Sequence, residues 1–185
     1  MSLPGQKTTT SAMSWEDFKS LIAKLERDRE YKFCLLITIA TFTGLRISDL
    51  LGLRFSQFEN GDLLTIVETK TRKTRKIKIN SDLKTIVQRV REKMDVVNSE
   101  QFIFLNKYGN KVIDKSYVNL KLKELFKRYD IHNEGNISSH MFRKTLGNRV
   151  LRLNNYSNES IIKLMELFNH SSPSITRRYL GLREQ

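Results

Sequence analysis

The chain has 185 residues, enough for one compact domain or at most two small ones, and 39% hydrophobic residues suffice for a real core. Its 33 Lys plus Arg against 20 Asp plus Glu leave a formal net charge of +13, a surface that draws polyanions and nucleic acid above all. A lone cysteine, Cys34, excludes an intramolecular disulfide. The longest near-apolar run, about ten residues, is too short to span a bilayer, and no secretory signal precedes it, so a cytoplasmic, DNA-associated protein is expected.

Residues 1–12 are rich in Ser, Thr, Gly and Pro, lack apolar periodicity, and read as a flexible lead-in whose opening Met1-Ser2-Leu3 resembles an expression scar. Ser14 followed by Asp17 resembles a capping box, and Trp15, Phe18, Leu21, Ile22 and Leu25 then share one helical face. A second helix is expected from Glu30 to Phe42 with Gly44 as its left-handed stop, and a short third one after Arg46, carrying Ile47, Leu50, Leu51 and Leu53. Asn60-Gly61-Asp62 signals a turn. Leu63–Val67 and Arg75–Ile79 read as two strands of a hairpin whose tip is Thr69–Thr74. Helical periodicity resumes from Ser81 to Met94, Gln101–Leu105 reads as a short extended piece, and Asn106–Asn110 as a loop. Further helices are expected over 114–129, 139–153, 158–168 and 173–181. The fold class is therefore α+β, mostly α: a helical domain over residues 13–185 with one small antiparallel sheet.

Five side chains along this frame, each singly an ordinary surface or packing residue, would together suit the breaking of a DNA phosphodiester. The transition state gathers negative charge on its non-bridging oxygens, and the paired donors of a guanidinium match that charge; Arg46 and Arg143 are the candidates. His140 stands three residues before Arg143, so on a helix the two share a face, and its imidazole suits proton transfer or donation to a phosphate oxygen. Tyr179 is the candidate nucleophile; a phenol with its usual pKa of about 10 needs nearby positive charge, which Arg46, Arg143 and His170 would supply. The basic run from Lys70 to Lys78 suits the neutralising of phosphates on both sides of a groove, with Arg72, Lys73, Arg75, Lys76 and Lys78 as DNA-gripping residues. There is no His-x-x-x-His, no paired cysteine and no tight acidic cluster for a metal, and no glycine-rich phosphate loop, so neither metal nor cofactor is expected.

Three stretches carry a resemblance: Thr43-Gly44-Leu45-Arg46-Ile47-Ser48-Asp49, Ser139-His140-Met141-Phe142-Arg143, and Asn169-His170-Ser171-Ser172-Pro173-Ser174-Ile175-Thr176-Arg177-Arg178-Tyr179. In this order they resemble the catalytic domain of the tyrosine recombinases, the phage-integrase family, over residues 13 to the end. The resemblance implies site-specific DNA recombination through a 3′-phosphotyrosine intermediate. It makes Lys70 the hairpin lysine that protonates the leaving 5′ hydroxyl, and Asp49 the acid that supports the site. Asn169 stands where the family often has glycine, and Met141 and Lys144 also depart from its usual pattern. The family's N-terminal DNA-clasping domain is expected to be absent, leaving a monomer in isolation and a tetramer only for the full enzyme on paired sites in double-stranded DNA. Two other readings stay open: a type IB topoisomerase-like enzyme with the same chemistry, and a DNA-binding regulator that keeps the fold without activity.

Overall fold

Helix α2 (Tyr31–Thr43) is the hub of the fold. It is apolar on nearly every side, and such a helix is stable only when surrounded. Every residue from Phe33 to Ala40 is buried, under α1 (Trp15–Arg27), α4 (Ser81–Lys93) and α6 (His140–Leu153). The computed structural model describes residues 10–59, 61–133 and 135–182. The first nine residues of the expected lead-in and Asn60 of the expected turn lie outside them. Among the described residues no helix is long and apolar enough to cross a membrane.

Most of the helices begin at a side-chain cap. The Ser14 hydroxyl accepts from the Asp17 backbone N–H and donates to the Asp17 carboxylate at 2.7 Å, fixing the start of α1. Asn80, Asp114, Ser157 and Ser172 cap α4, α5 (Lys115–Arg128), α7 (Asn158–Phe168) and α8 (Pro173–Leu180) in the same way. α2 and α6 start without a side-chain cap, and before α6 the Ser139 backbone N–H donates to Asn119 Oδ1.

Gly44 ends α2 at φ +63°, and a Cβ there would sit 3.0 Å from Leu146 and 3.1 Å from Phe168. Both the left-handed backbone and the close approach demand glycine. Gly44→Ala is expected to destabilise the protein by about 1–3 kcal/mol, read as a lowered urea midpoint at constant slope.

Short helix α3 (Ile47–Leu51) and a 3₁₀ turn (Phe55–Phe58) lead into strands β1 (Leu63–Val67) and β2 (Thr74–Lys78). The strands pair antiparallel, with Leu64 opposite Ile77 and Ile66 opposite Arg75 on the inward face. β2 begins and ends one residue earlier than the sequence suggests. The 3₁₀ turn was not foreseen; Gln57 holds it by accepting from the Arg54 N–H at 2.8 Å. Gln101–Leu105 forms no strand, only single bridges from Phe102 to Arg54 and from Leu105 to Val112, because Ile103 and Phe104 turn into the core.

A second, smaller core lies at the C-terminal end, where Leu151, Ile161, Leu164, Phe168 and Leu180 bring α6, α7 and α8 together. Phe168 is fully buried and touches the end of α2 near Gly44, so it marks the seam between the two cores.

Candidate active site

The seam gathers arginines because a helix ends there. The last carbonyls of a helix have no partner within it and carry the negative end of its dipole. α7 stops at Phe168 because Asn169 turns left-handed at φ +53°, leaving these carbonyls free for other donors. Arg143 donates to the Phe168 carbonyl and, at 2.8 Å, to the Gly44 carbonyl. Arg46 reaches the same Phe168 carbonyl at 3.5 Å, and Arg75 donates to that of Leu167. Three guanidiniums, from α6, the entry to α3 and β2, thus converge on one helix end.

The Arg143 guanidinium also stacks 4.5 Å over the Phe168 ring, and the residue is only 4% exposed. Burial, and then the positive charges of Arg46 and Arg75, push its pKa down to about 10; Tyr179 and Glu68 oppose the shift. It remains a cation at neutral pH. Arg46 is more open, and its Nη1 is a buried donor with no hydrogen-bond partner. A phosphate oxygen is the acceptor that such a donor suits.

Tyr179 lies against this cluster. Its ring meets that of Phe168 edge-on at 5.6 Å and that of His170 at 5.1 Å, with the Lys144 ammonium 5.1 Å over its face. The hydroxyl is 3.5 Å from the His140 carbonyl, a long contact that leaves it available. Burial raises the phenol's pKa above its ordinary value, against the pull of Arg143 and Arg46. His170 is held by a 3.0 Å hydrogen bond between Nδ1 and the Thr176 hydroxyl, which is fully buried in α8. His140, the first residue of α6, is exposed as a residue, yet loss of water around its ring, then the charges of Lys115, Arg143, Lys144 and Arg46, lower its pKa. The pKa of His170 falls for the same two reasons, burial first and Arg143 and Arg46 second.

Both imidazoles are therefore neutral near pH 7. A histidine whose folded pKa is depressed contributes stability above its unfolded value of 6.5, and that contribution is lost as pH falls through the folded pKa. Stability is expected to decline on acidification from pH 6.5 downward, and replacing both histidines by glutamine should flatten that slope in pH-dependent thermal melts.

The hairpin supplies the remaining groups. Asp49 is buried in α3 and accepts from the Thr69 N–H at 2.8 Å, tying the turn to the Arg46 segment. Lys70 sits in that turn and is exposed, as are Arg72, Lys73, Lys76 and Lys78. Arg75 is not. Expected among the DNA-gripping residues, it is half-buried: strand alternation sends its side chain to the face shared by Ile77 and away from Lys76 and Lys78. The sequence reading also passed over Glu68, only 2% exposed, whose carboxylate accepts from Arg75 at 3.1 Å and Thr71 at 2.8 Å and lies 3.6 Å from Arg46. It is the sole acid between Leu63 and Lys78, the one signal that could have singled it out. Among the described residues, no group of His, Cys, Asp or Glu side chains is clustered to hold a metal.

Buried guanidiniums beside an aromatic hydroxyl, flanked by neutral imidazoles, suit the binding of a phosphodiester and its attack by an oxygen nucleophile. Comparison with known proteins agrees with that chemistry. The chain is 33% identical to the probable integrase/recombinase YoeC of Bacillus subtilis over 142 residues, covering 77% of this chain and 73% of that protein. It is 25% identical to the tyrosine recombinase XerH of Campylobacter jejuni over 174 residues, 90% of this chain but only 47% of XerH. Its fold matches the Tn1549 transposon integrase in complex with circular intermediate DNA at a TM-score of 0.73 and 23% identity, over 99% of this chain and 66% of that one. The model of the phage integrase family covers residues 12–185, which takes in the arginine entry to α3, the hairpin and the α6–α8 seam alike: the chain belongs to the phage integrase family.

Proposed function

We propose that residues 13–185 are the catalytic domain of a site-specific tyrosine recombinase that breaks and rejoins double-stranded DNA. The observation that carries this reading is the convergence of Arg46, Arg143, His170 and Tyr179 about the end of α7. Arg46 and Arg143 bind the non-bridging oxygens of the scissile phosphate. The Tyr179 hydroxyl attacks phosphorus and passes its proton to the neutral imidazole of His140, the residue whose carbonyl lies 3.5 Å from that hydroxyl. The bond from phosphorus to the 5′ oxygen breaks, and Lys70 gives that oxygen a proton. The 3′ end is left on the tyrosine as a phosphodiester, so a second 5′ hydroxyl can reverse the step without an energy source. Asp49 supports the clamp through the hairpin turn. Arg72, Lys73, Lys76 and Lys78 neutralise phosphates along the duplex. The isolated domain is monomeric, and the full enzyme assembles as a tetramer on paired sites.

If Lys70 is the general acid, Lys70→Ala should lose about 10²–10⁴-fold in cleavage on ordinary DNA. It should recover most of that loss on a substrate with a 5′-thiol leaving group, which needs no proton. Equal loss on both substrates in single-turnover assays assigns the proton donor elsewhere.

The reaction class is tested by mixing two duplexes that carry the element's attachment sites, and separately a supercoiled plasmid. Exchanged strands are the expected product. Relaxation of the plasmid with no exchange assigns a topoisomerase, and DNA binding with neither product assigns a regulator.

A further inference from the structure

We propose that Glu68 is the counter-ion and positioning residue of the arginine clamp, the group that lets three guanidiniums share one small volume. The inference rests on the reading of Arg46 and Arg143 as phosphate ligands and adds to it a residue that binds no phosphate itself. Arg46, Arg75 and Arg143 all reach the end of α7, where they repel one another in surroundings too dry to screen them. The α7 carbonyls offer only partial charges. Glu68 is the full negative charge at this point, 3.1 Å from Arg75 and 3.6 Å from Arg46.

Its surroundings are built to keep it ionised and fixed. Burial alone would raise its pKa, but bonds from Thr71 and Arg75 and the charge of Arg46 bring it below the ordinary carboxylate value. Asn169, the left-handed residue that ends α7, donates to the second oxygen at 3.3 Å. The backbone of Glu68 closes the hairpin, its N–H donating to the Lys73 carbonyl and its carbonyl accepting from the Arg72 N–H. One residue therefore links the turn that carries Lys70, the guanidinium of Arg46 and the helix end that receives Arg143. Arg75, the inward residue of β2, is the fixed partner that holds Glu68 while Arg46 stays free to engage a phosphate.

A counter-ion makes a prediction that a merely space-filling residue does not. Glu68→Gln keeps the shape and removes a negative charge, so affinity for a fluorescein-labelled duplex should hold or rise while covalent attachment slows by about tenfold or more. Adding Arg75→Met to Glu68→Gln removes the uncompensated cation, and should recover part of the rate and of the melting temperature. If Glu68→Gln itself fails to fold, recovery of folding in the double variant is the expected result. An unchanged rate in Glu68→Gln, or a double variant no better than the single one in rate and melting, overturns the proposal. Wild type and Tyr179→Phe run alongside: absence of a Tyr179-dependent adduct in wild type means that the underlying reading of the site has failed, not this one.

Discussion

Tyr179→Phe is expected to abolish covalent attachment to DNA while leaving folding and binding almost unchanged. The substitution removes one oxygen and nothing else. The ring keeps its edge contacts with Phe168 and His170 and its place beneath Lys144. The lost hydroxyl makes a long contact to the His140 carbonyl and meets the Arg143 side chain, so the change in stability should stay within about 1 kcal/mol. Affinity for duplex DNA depends on the net charge of +13, which the substitution does not touch. Anisotropy with a labelled duplex should give matching binding curves, and melts should agree within a few degrees. A denaturing gel with nicked duplexes should show the shifted band in wild type alone.

Arg143→Ala should behave in the opposite manner, damaging rate and fold together. Arg143 is almost fully buried and saturates the Gly44 carbonyl while sharing that of Phe168 with Arg46. Alanine leaves the Gly44 carbonyl without its donor and opens a void above the Phe168 ring. The expected loss is about 2–4 kcal/mol of stability together with about 10²–10³-fold in cleavage rate. Arg143→Lys keeps a charge but not the planar fork, and cannot serve both carbonyls and a phosphate at once, so it should recover stability better than rate. Urea titration and single-turnover cleavage separate the two effects.

The contrast between these two residues shows what could be read from the chain alone. Helix spans were legible because they rest on local features: the Ser14 cap, the spacing of Phe18, Leu21, Ile22 and Leu25, the left-handed Gly44. The candidate side chains could be named only as a set, because each is unremarkable singly and the runs around them, in this order, resemble those of the family. What could not be read was the reason they meet. The acceptor that gathers Arg46 and Arg143 is the Phe168 carbonyl, 122 residues from Arg46, and a carbonyl carries no mark in the sequence. That Arg75 faces inward was not read, because every cation of a dense basic run looks alike in the sequence. The pairing of Ile66 with Arg75 fixes that parity, and with it the inward turn of the guanidinium. Glu68 stayed invisible for a related reason: an isolated acid among cations reads as a surface charge until the fold buries it.

Lys144 and Asn169, two departures from the family's usual wording, fall at informative places. Lys144 stands over the Tyr179 ring, and Asn169 both ends α7 and donates to Glu68. Glycine at position 169 would supply the same left-handed turn but no side chain to reach Glu68.

The most direct test of the account is to locate the bond itself. The wild-type protein is trapped on a nicked duplex that cannot religate, the adduct is digested with trypsin and a nuclease, and the modified peptide is sequenced by mass spectrometry. A nucleotide joined through its 3′ phosphate to Tyr179, in the peptide that follows Arg178, is the expected result. A nucleotide on any other residue, or one joined through a 5′ phosphate, contradicts it.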